Sequence, residues 1–548
     1  VAGGAGGSGM VSSSPAGINC TITGGSAGSS GCSATYGSGV SVTLTSTAGS
    51  GSYLKAWSGA SCDVNGNGIG QNSGTCVVAM SQAQSVVVSF ETDATQSVMG
   101  TWSSPLAWPA VAIHSHLLPN GVVMTWGRMD HNPVLWDPGN PNVFGSAARP
   151  ADFFCSGHAF LPDGRLLVTG GHSGTDNLGI KTAYLYDFAT NTWTRAPDMQ
   201  NGRWYPSTTT LANGEMLTMA GSDTAQTGNL IPEVFQTTNG TWRVLTTAQK
   251  PLPLYPMAFV APDGRVFMAG PDQATLYLDT RGTGTWSNGP VSNFGKRDYG
   301  SAVMYDGGKI LLVGGGGTPT ATAEVIDLNA GTGWRALTST MSVARRQMNA
   351  TLLADGKVLV TGGSNATGFN VAPTDSKVLG AELWDPATEK FTSLGRMSHY
   401  RLYHSTSLLL PDGRVLSVGS GQPAATGLTD DYTAEIFSPP YLFKVDGTPA
   451  DRPNLDNVPL SVGYGGAITV TTADPTGIAK ATWIRLSSVT HSFNQNQRMN
   501  VLRITARGTG TITLQAPANA NLAPPGHYML FLVNSSGVPS LGKIVRIF

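Results

Sequence analysis

The stretch His158-Ala159-Phe160-Leu161-Pro162-Asp163-Gly164-Arg165-Leu166-Leu167-Val168-Thr169-Gly170-Gly171 reads as two short apolar strands joined by a tight turn and closed by a glycine pair. Asp-Gly favours such a turn because glycine enters the left-handed region without a Cβ penalty. The unit recurs, with turn glycines at Gly121, Gly164, Gly214, Gly264, Gly307, Gly356 and Gly413, spaced by 43, 50, 50, 43, 49 and 57 residues. A third strand bearing Tyr, Trp or Phe follows in several units, as in AYLYDFATNTW (183–193), AEVIDLNAGTGW (323–334) and AELWDPATEKF (381–391).

A period near 50 residues built from short strands is that of a kelch-type blade of four strands. Seven turns predict a seven-bladed β-propeller over residues 97–447. Composition agrees with an all-β, turn-rich chain: 70 of 548 residues are glycine and only 12% are charged, against a usual ~25% charged. The length implies more than one core, since single cores stop growing near ~250–300 residues. A formal net charge of −1 gives no broad field for nucleic acid or an anionic membrane. No apolar run approaches the ~18 residues of a membrane-spanning helix. These features favour a processed, secreted protein acting on small molecules.

Two further regions flank the repeat. After residue 450 the period ends, and the short strands AITVTT, KATWIRLSS, MNVLRITA, TITLQAP, HYMLFLVN and KIVRIF predict an immunoglobulin-like β-sandwich over 450–548. Residues 1–92 alternate β-branched strands with Gly/Ser turns and hold Cys20, Cys32, Cys62 and Cys76, the clustering of a disulfide-bonded secreted module. The order SSPAGINC, GCSATYGSGVSVTLTS, AWSGASC, GTCVVAM, SVVVSF resembles the bacterial surface β-repeat of divergent internalin-B type. That resemblance implies pairing of Cys20 with Cys32 and Cys62 with Cys76, and a possible role in cell-surface or polysaccharide contact. Asp63-Val64-Asn65-Gly66-Asn67-Gly68 mimics the start of a calcium loop but lacks the twelfth-position Glu, so it is read as a polar turn.

The fifth cysteine, Cys155, stands apart in FFCSG (153–157). An oxidising compartment does not leave such a thiol idle unless it is buried or chemically used. Tyr205 in RWYPS, Tyr403-His404 in RLYHS and His491 in VTHSFNQNQR add phenols and imidazoles, which with an open position suit Cu(II). Adjacent Tyr403 and His404 can serve one ion only where the strand is irregular, because neighbouring residues of a regular strand face opposite ways. An all-thiolate zinc site is excluded by the single unpaired cysteine.

FFCSG, RWYPS, RLYHS with LLLPDGRV, VTHSFNQNQR and PPGHYMLFLVNSSGVPS occur in the order found in the copper radical oxidases, the galactose oxidase and glyoxal oxidase family, and the likeness spans residues 97–548. The resemblance implies one copper ion and a Cys155–Tyr205 thioether that carries a tyrosyl radical. By the same resemblance Tyr205, His404 and His491 are equatorial ligands, and Tyr403 is the axial ligand and base. The implied reaction oxidises a primary alcohol or aldehyde by two electrons and reduces O2 to H2O2, in a secreted bacterial enzyme.

Galactose oxidase carries a stacking tryptophan eighteen residues after the linked tyrosine, where this chain has Asp223. Tyr299 or Phe294 is therefore expected to shield the ring, and the Asp223 carboxylate is expected at the pocket rim. Trp204 is open to either packing beside the site or a place in the core, while His114, His116, His158, His172, His399 and His527 are read as structural. Two other function classes remain at this point: a non-catalytic kelch propeller for carbohydrate binding or adhesion, and a propeller glycosidase, which would need a carboxylate pair on the axis.

Overall fold

A computed structural model of the chain describes residues 1–548 except 5, 50–51, 63–72, 93–95 and 374–375. The calcium-like stretch 63–68 lies outside the described residues. The architecture is all-β: seven sheets of four or more strands follow one another between residues 101 and 438, as in a β-propeller. Each sheet is an antiparallel meander whose first strand lies innermost; Gly157–Phe160, Ser207–Thr210, Met257–Val260 and Thr406–Leu409 are buried along their whole length. Such strands pack on both faces, so they read as continuous apolar or small-residue runs rather than as alternation.

The turn glycines behave as expected with one exception. Gly121, Gly164, Gly214, Gly264, Gly356 and Gly413 have φ between +83° and +94°, whereas at the remaining turn Gly308, not Gly307, is left-handed, with φ +82°. The cause is a tighter hairpin in which Asp306 pairs directly with Lys309, leaving Gly307-Gly308 as a two-residue turn.

Two long-range pairings complete the ring. The last sheet, built on Thr406–Leu409, Val415–Val418 and Thr433–Ser438, takes its outer strand from the start of the propeller region, with Leu106 opposite Ala434 and Trp102 opposite Phe437. The first sheet, built on His114–Leu117, gains a hairpin from far downstream, Ser488–Thr490 with Phe493–Asn494, and His114 lies opposite Thr490.

A buried ion pair repeats in four sheets. Arg203–Glu233, Arg297–Glu324, Arg345–Glu382 and Arg401–Glu435 meet at 2.8, 3.0, 2.5 and 3.4 Å. Each arginine also donates to a carbonyl at the end of its sheet's second strand, namely Ala220, Gly314, Gly362 and Gly419. A buried charge must be paired, so this clamp fixes the segment that enters each inner strand.

After the propeller, a seven-stranded sheet runs in the order Ser461–Val462, Lys543–Ile547, Gly526–Asn534, Ile478–Arg485, Met499–Gly508, Thr511–Gln515, Ala467–Thr471 around a core that includes Trp483, Leu530 and Leu532. Before it, a five-stranded and a three-stranded sheet enclose Val11, Ile22, Leu54, Trp57 and Phe90. Disulfides join Cys20 to Cys32 and Cys62 to Cys76, as the resemblance implied.

Candidate metal centre

The centre is built from one repeated position. Cys155, Tyr205, Tyr255, Tyr299 and His404 each stand two residues before the start of an inner strand, at Gly157, Ser207, Met257, Ser301 and Thr406. All five adopt left-handed backbone, with φ of +60°, +64°, +45°, +52° and +68°. The backbone links them around the axis: Tyr205 N–H donates to the Cys155 carbonyl and Tyr255 N–H to the Tyr205 carbonyl, both at 2.9 Å. A non-glycine residue in this region costs about 1–3 kcal/mol and persists where the surroundings impose it, often at functional sites.

The irregularity required at Tyr403-His404 is present. From the clamping arginine to the inner strand is four residues in Arg203–Ser207 and in Arg297–Ser301, but five in Arg401–Thr406. The additional residue lies outside the ladder, and His404 turns left-handed while Tyr403 keeps its ring in the same centre. His491 arrives from the downstream hairpin, also left-handed at φ +48°.

The five predicted residues converge. Cys155, Tyr205, Tyr403, His404 and His491 are at most 5% exposed. Tyr205 Oη and Tyr403 Oη are in hydrogen-bond contact. Cys155 Sγ lies 4.0 Å from His491 Nε2, and the ligand atoms of Cys155, His404 and His491 fall within 4.8 Å of one another. His404 Nδ1–H donates to the Gly421 carbonyl at 2.6 Å, which leaves the Nε2 lone pair buried without a protein partner. Thr490 Oγ1 donates to the Ile113 carbonyl and therefore accepts from His491 Nδ1–H, at 2.9 and 2.6 Å. Both imidazoles thus present an unprotonated Nε2, with the other ring nitrogen held by a hydrogen bond as in metal-ligating histidines.

Electrostatics fit the same reading. Burial lowers the pKa of His404 to about 3 and, with His404 and His158 nearby, that of His491 well below its ordinary value, so both rings are neutral. Burial, then Cys155 and Tyr403, pushes the Tyr205 phenol well up; burial, then Tyr299 and Cys155, does the same to Tyr403. Two phenols facing two unprotonated imidazole nitrogens form a donor set that a divalent cation would satisfy, and the cation would reverse the phenol shifts.

The ring of Tyr205 is covered by its own neighbour. Trp204 stacks on it at 3.6 Å between centroids and 13° between planes, and Tyr255 packs against it at 4.6 Å. This corrects the expectation for Tyr299 and Phe294: Tyr299 meets Tyr403 edge-on at 5.6 Å, and Phe294 lies under Arg297. The Asp223 expectation is corrected too. Although partial burial works against it, hydrogen bonds from Ala225 and Thr227 hold its pKa below the usual value, and the carboxylate is engaged in closing its own loop.

A cavity of about 360 Å³ opens onto Tyr205 and His491 and is walled by Tyr255, Tyr299, Phe369, Lys296 and Asp298. Its charges are balanced, since Asp298 pairs with Arg346 at 3.1 Å and Lys296 lies 3.7 Å from Asp272. Sequence reasoning missed Tyr255, yet LYPM (254–257) stands in register with WYPS (204–207) and could have been found by aligning the repeats on their inner strands.

The remaining histidines stay outside the donor set. His114 Nε2 accepts the Cys155 N–H at 3.1 Å, its Nδ1–H donates to His158 Nε2 at 2.9 Å, and His158 in turn reaches Ser488. His116 stacks on Trp126 at 4.3 Å, and His172 and His399 face Asp152 and Asp431.

Comparison with known proteins follows the same lines. Residues 134–306 match the family described as glyoxal oxidase N-terminus, and residues 452–547 that described as galactose oxidase-like, early set domain. Galactose oxidase of Gibberella zeae is 31% identical over 502 residues, covering 83% of this chain and 71% of that protein. Aldehyde oxidase GLOX of Vitis pseudoreticulata is 28% identical, covering 72% of this chain and 82% of its own. A solved fungal alcohol oxidase of the AA5 family, in complex with copper, matches with a TM-score of 0.74 at 28% identity, over 82% of this chain and 99% of that one.

Proposed function

The chain belongs to the copper radical oxidases, the family of galactose oxidase, and from that premise we propose that it oxidises small primary alcohols or aldehydes with O2. The balance is RCH2OH + O2 → RCHO + H2O2, and an aldehyde hydrate gives the carboxylic acid in the same way. The observation that carries the reading is the meeting of two phenol oxygens with two unprotonated imidazole nitrogens, beside a cavity onto which Tyr205 and His491 open.

Tyr205 Oη, Tyr403 Oη, His404 Nε2 and His491 Nε2 would hold one copper ion, and Cys155 Sγ would bond to the Tyr205 ring as the thiol hydrogen and one ring hydrogen are lost to O2. The ion and the oxidised, sulfur-linked Tyr205 would each accept one electron, which together match the two-electron oxidation of the substrate. The chain's own residues do the rest. Tyr403 Oη takes the substrate hydroxyl proton, and its buried setting then holds that proton as a neutral phenol. Tyr205 Oη is placed to receive hydrogen from the carbinol carbon, beside the open cavity. Trp204 and Tyr255 cover the ring and exclude water from it. His114, by accepting the Cys155 N–H, fixes the left-handed backbone that aims the thiol.

We read residues 97–447 as a seven-bladed kelch-type propeller and 450–548 as an immunoglobulin-like sandwich that lends His491. Residues 1–92 are read as a bacterial surface-type module making cell-wall or polysaccharide contact. Two disulfides support an oxidising, extracellular setting, and among the described residues no helix is long and apolar enough to cross a membrane. A purely adhesive propeller would have no use for a buried thiol and strained tyrosines on its axis.

Copper content and peroxide release decide the proposal. We expect one copper per chain and turnover on glycerol or methylglyoxal above that on galactose, because aromatic walls and paired charges line the cavity. Protein loaded with copper that releases no peroxide from any primary alcohol or aldehyde would overturn the assignment, and a large preference for galactose would overturn the substrate class alone.

A further inference from the structure

Where the segment 485–498 meets the third and fourth propeller sheets, two arginines are buried without a counter-charge. Arg485 and Arg498 are 2% and 4% exposed. Among the described residues neither has a carboxylate within ion-pair distance, in contrast to the four clamping arginines, each of which has its glutamate. Their hydrogen-bond acceptors are carbonyls, Pro524, Phe160 and Pro525 for Arg485 at 3.1–3.4 Å and Val260 and Asn521 for Arg498 at 3.4 and 3.3 Å, and Arg485 also lies over the Tyr528 ring at 5.6 Å. The nearby phenols add no negative charge, because Tyr528 and Tyr464 donate to the Pro524 and Ala523 carbonyls. Arginine does not escape by losing its proton.

The donors left over converge on one space. Arg485 Nε, Arg498 Nε and Gln495 Nε2 are buried and meet no protein acceptor. Gln495 is oriented by its other end, since its Oε1 accepts the N–H of His158 and of Thr208 at 3.3 and 2.8 Å. All three side chains line a cavity of about 20 Å³ that also touches Thr209 and Val260 of the third and fourth propeller sheets. That is room for one water-sized sphere, which needs ~10–15 Å³, and not for a polyatomic anion.

We propose that this cavity is a halide site, in which a chloride ion bridges Arg485 and Arg498 and accepts from Gln495. Isolated buried cations are strongly unfavourable, and a monatomic anion supplies both the charge and the acceptor that the three donors require. Burial holds the Arg498 pKa down to about 10, in keeping with a cation that lacks a protein partner. The site joins propeller strands to the segment 485–498, which also carries His491, so the ion fastens that ligand-bearing segment to the ring.

The test uses the full-length protein, exchanged from sodium gluconate into sodium chloride or bromide at constant ionic strength. We expect Tm to rise saturably with halide, by roughly 3 °C at about 0.1 M, and not with gluconate. Arg498→Gln should remove the halide dependence, and crystals in bromide should show anomalous scattering between Arg485 and Arg498. Equal Tm in gluconate and chloride at every ratio overturns the proposal, as does halide dependence that survives in Arg498→Gln. If that variant does not fold, the bromide position decides: scattering elsewhere, or water alone in the cavity, refutes the site.

Discussion

Replacing Thr490 by valine isolates the orientation of His491 with almost no change in shape. The hydroxyl accepts the His491 Nδ1–H at 2.6 Å and donates to the Ile113 carbonyl at 2.9 Å. Valine removes both bonds and leaves two buried polar groups without partners, each costing about 1–3 kcal/mol. Freed from that bond, the imidazole can rotate and exchange tautomers, and loss of such a partner typically weakens metal affinity about 10–100-fold. At 1.4 kcal/mol per tenfold this is roughly 1.4–2.8 kcal/mol of copper binding. The assay is competition for Cu(II) against a chelator on copper-free protein, with circular dichroism confirming that each variant is folded. Thr490→Ser, which keeps the hydroxyl, should bind copper nearly as the parent protein does. A folded Thr490→Val that binds copper within about twofold of the parent would refute the role given to Thr490 and His491, since losing the hydrogen-bond partner of a ligating histidine costs more than that.

Other expectations follow from the same geometry. Copper-matured protein should be lighter by two hydrogens than its disulfide-bonded sequence and should yield no alkylatable Cys155 peptide; Cys155→Ser should keep copper and lose nearly all turnover. Trp204→Ala should keep copper and the cross-link but shorten the lifetime of the oxidised state, followed by its visible absorption; an unchanged lifetime would show that the stacked indole does not protect the ring. Copper-free protein should lose stability on acidification, because burial lowers the pKa of His158 to about 3 and of His527 to about 4. These folded values lie below the unfolded value near ~6.5, so the unfolded chain takes up more protons as pH falls through 6.5, and His158 contributes up to about 1.4 kcal/mol per pH unit. A Tm that is flat between pH 6.5 and 5 would contradict this. Truncation after residue 450 should abolish tight copper binding, whereas removal of residues 1–92 should leave turnover intact, as copper titration and peroxide release would report.

Much of the molecule was legible without coordinates because its signals are local. The turn Asp163-Gly164 and its repeats announce themselves through glycine's freedom at φ > 0, and their spacing gives the blade count. Cys155, Tyr205, Tyr403, His404 and His491 were identifiable as a set by the order of their motifs, and the short disulfide loops of Cys20–Cys32 and Cys62–Cys76 followed from resemblance.

What the sequence could not decide depends on pairings between distant segments. Neither the strand Leu106–Ala107 completing the last sheet nor the hairpin Ser488–Thr490 extending the first has a local signature, because strand pairing is chosen by the closing of the ring. That second pairing is what delivers His491 to the centre. The shield of Tyr205 was misplaced for a related reason: counting residues to Asp223 assumed a family spacing, whereas the left-handed backbone at Tyr205 lets the preceding Trp204 fold over the ring. The uncompensated Arg485 and Arg498 were equally invisible, since an arginine lacks a counter-charge only in relation to everything packed around it, and burial is a property of the assembled fold.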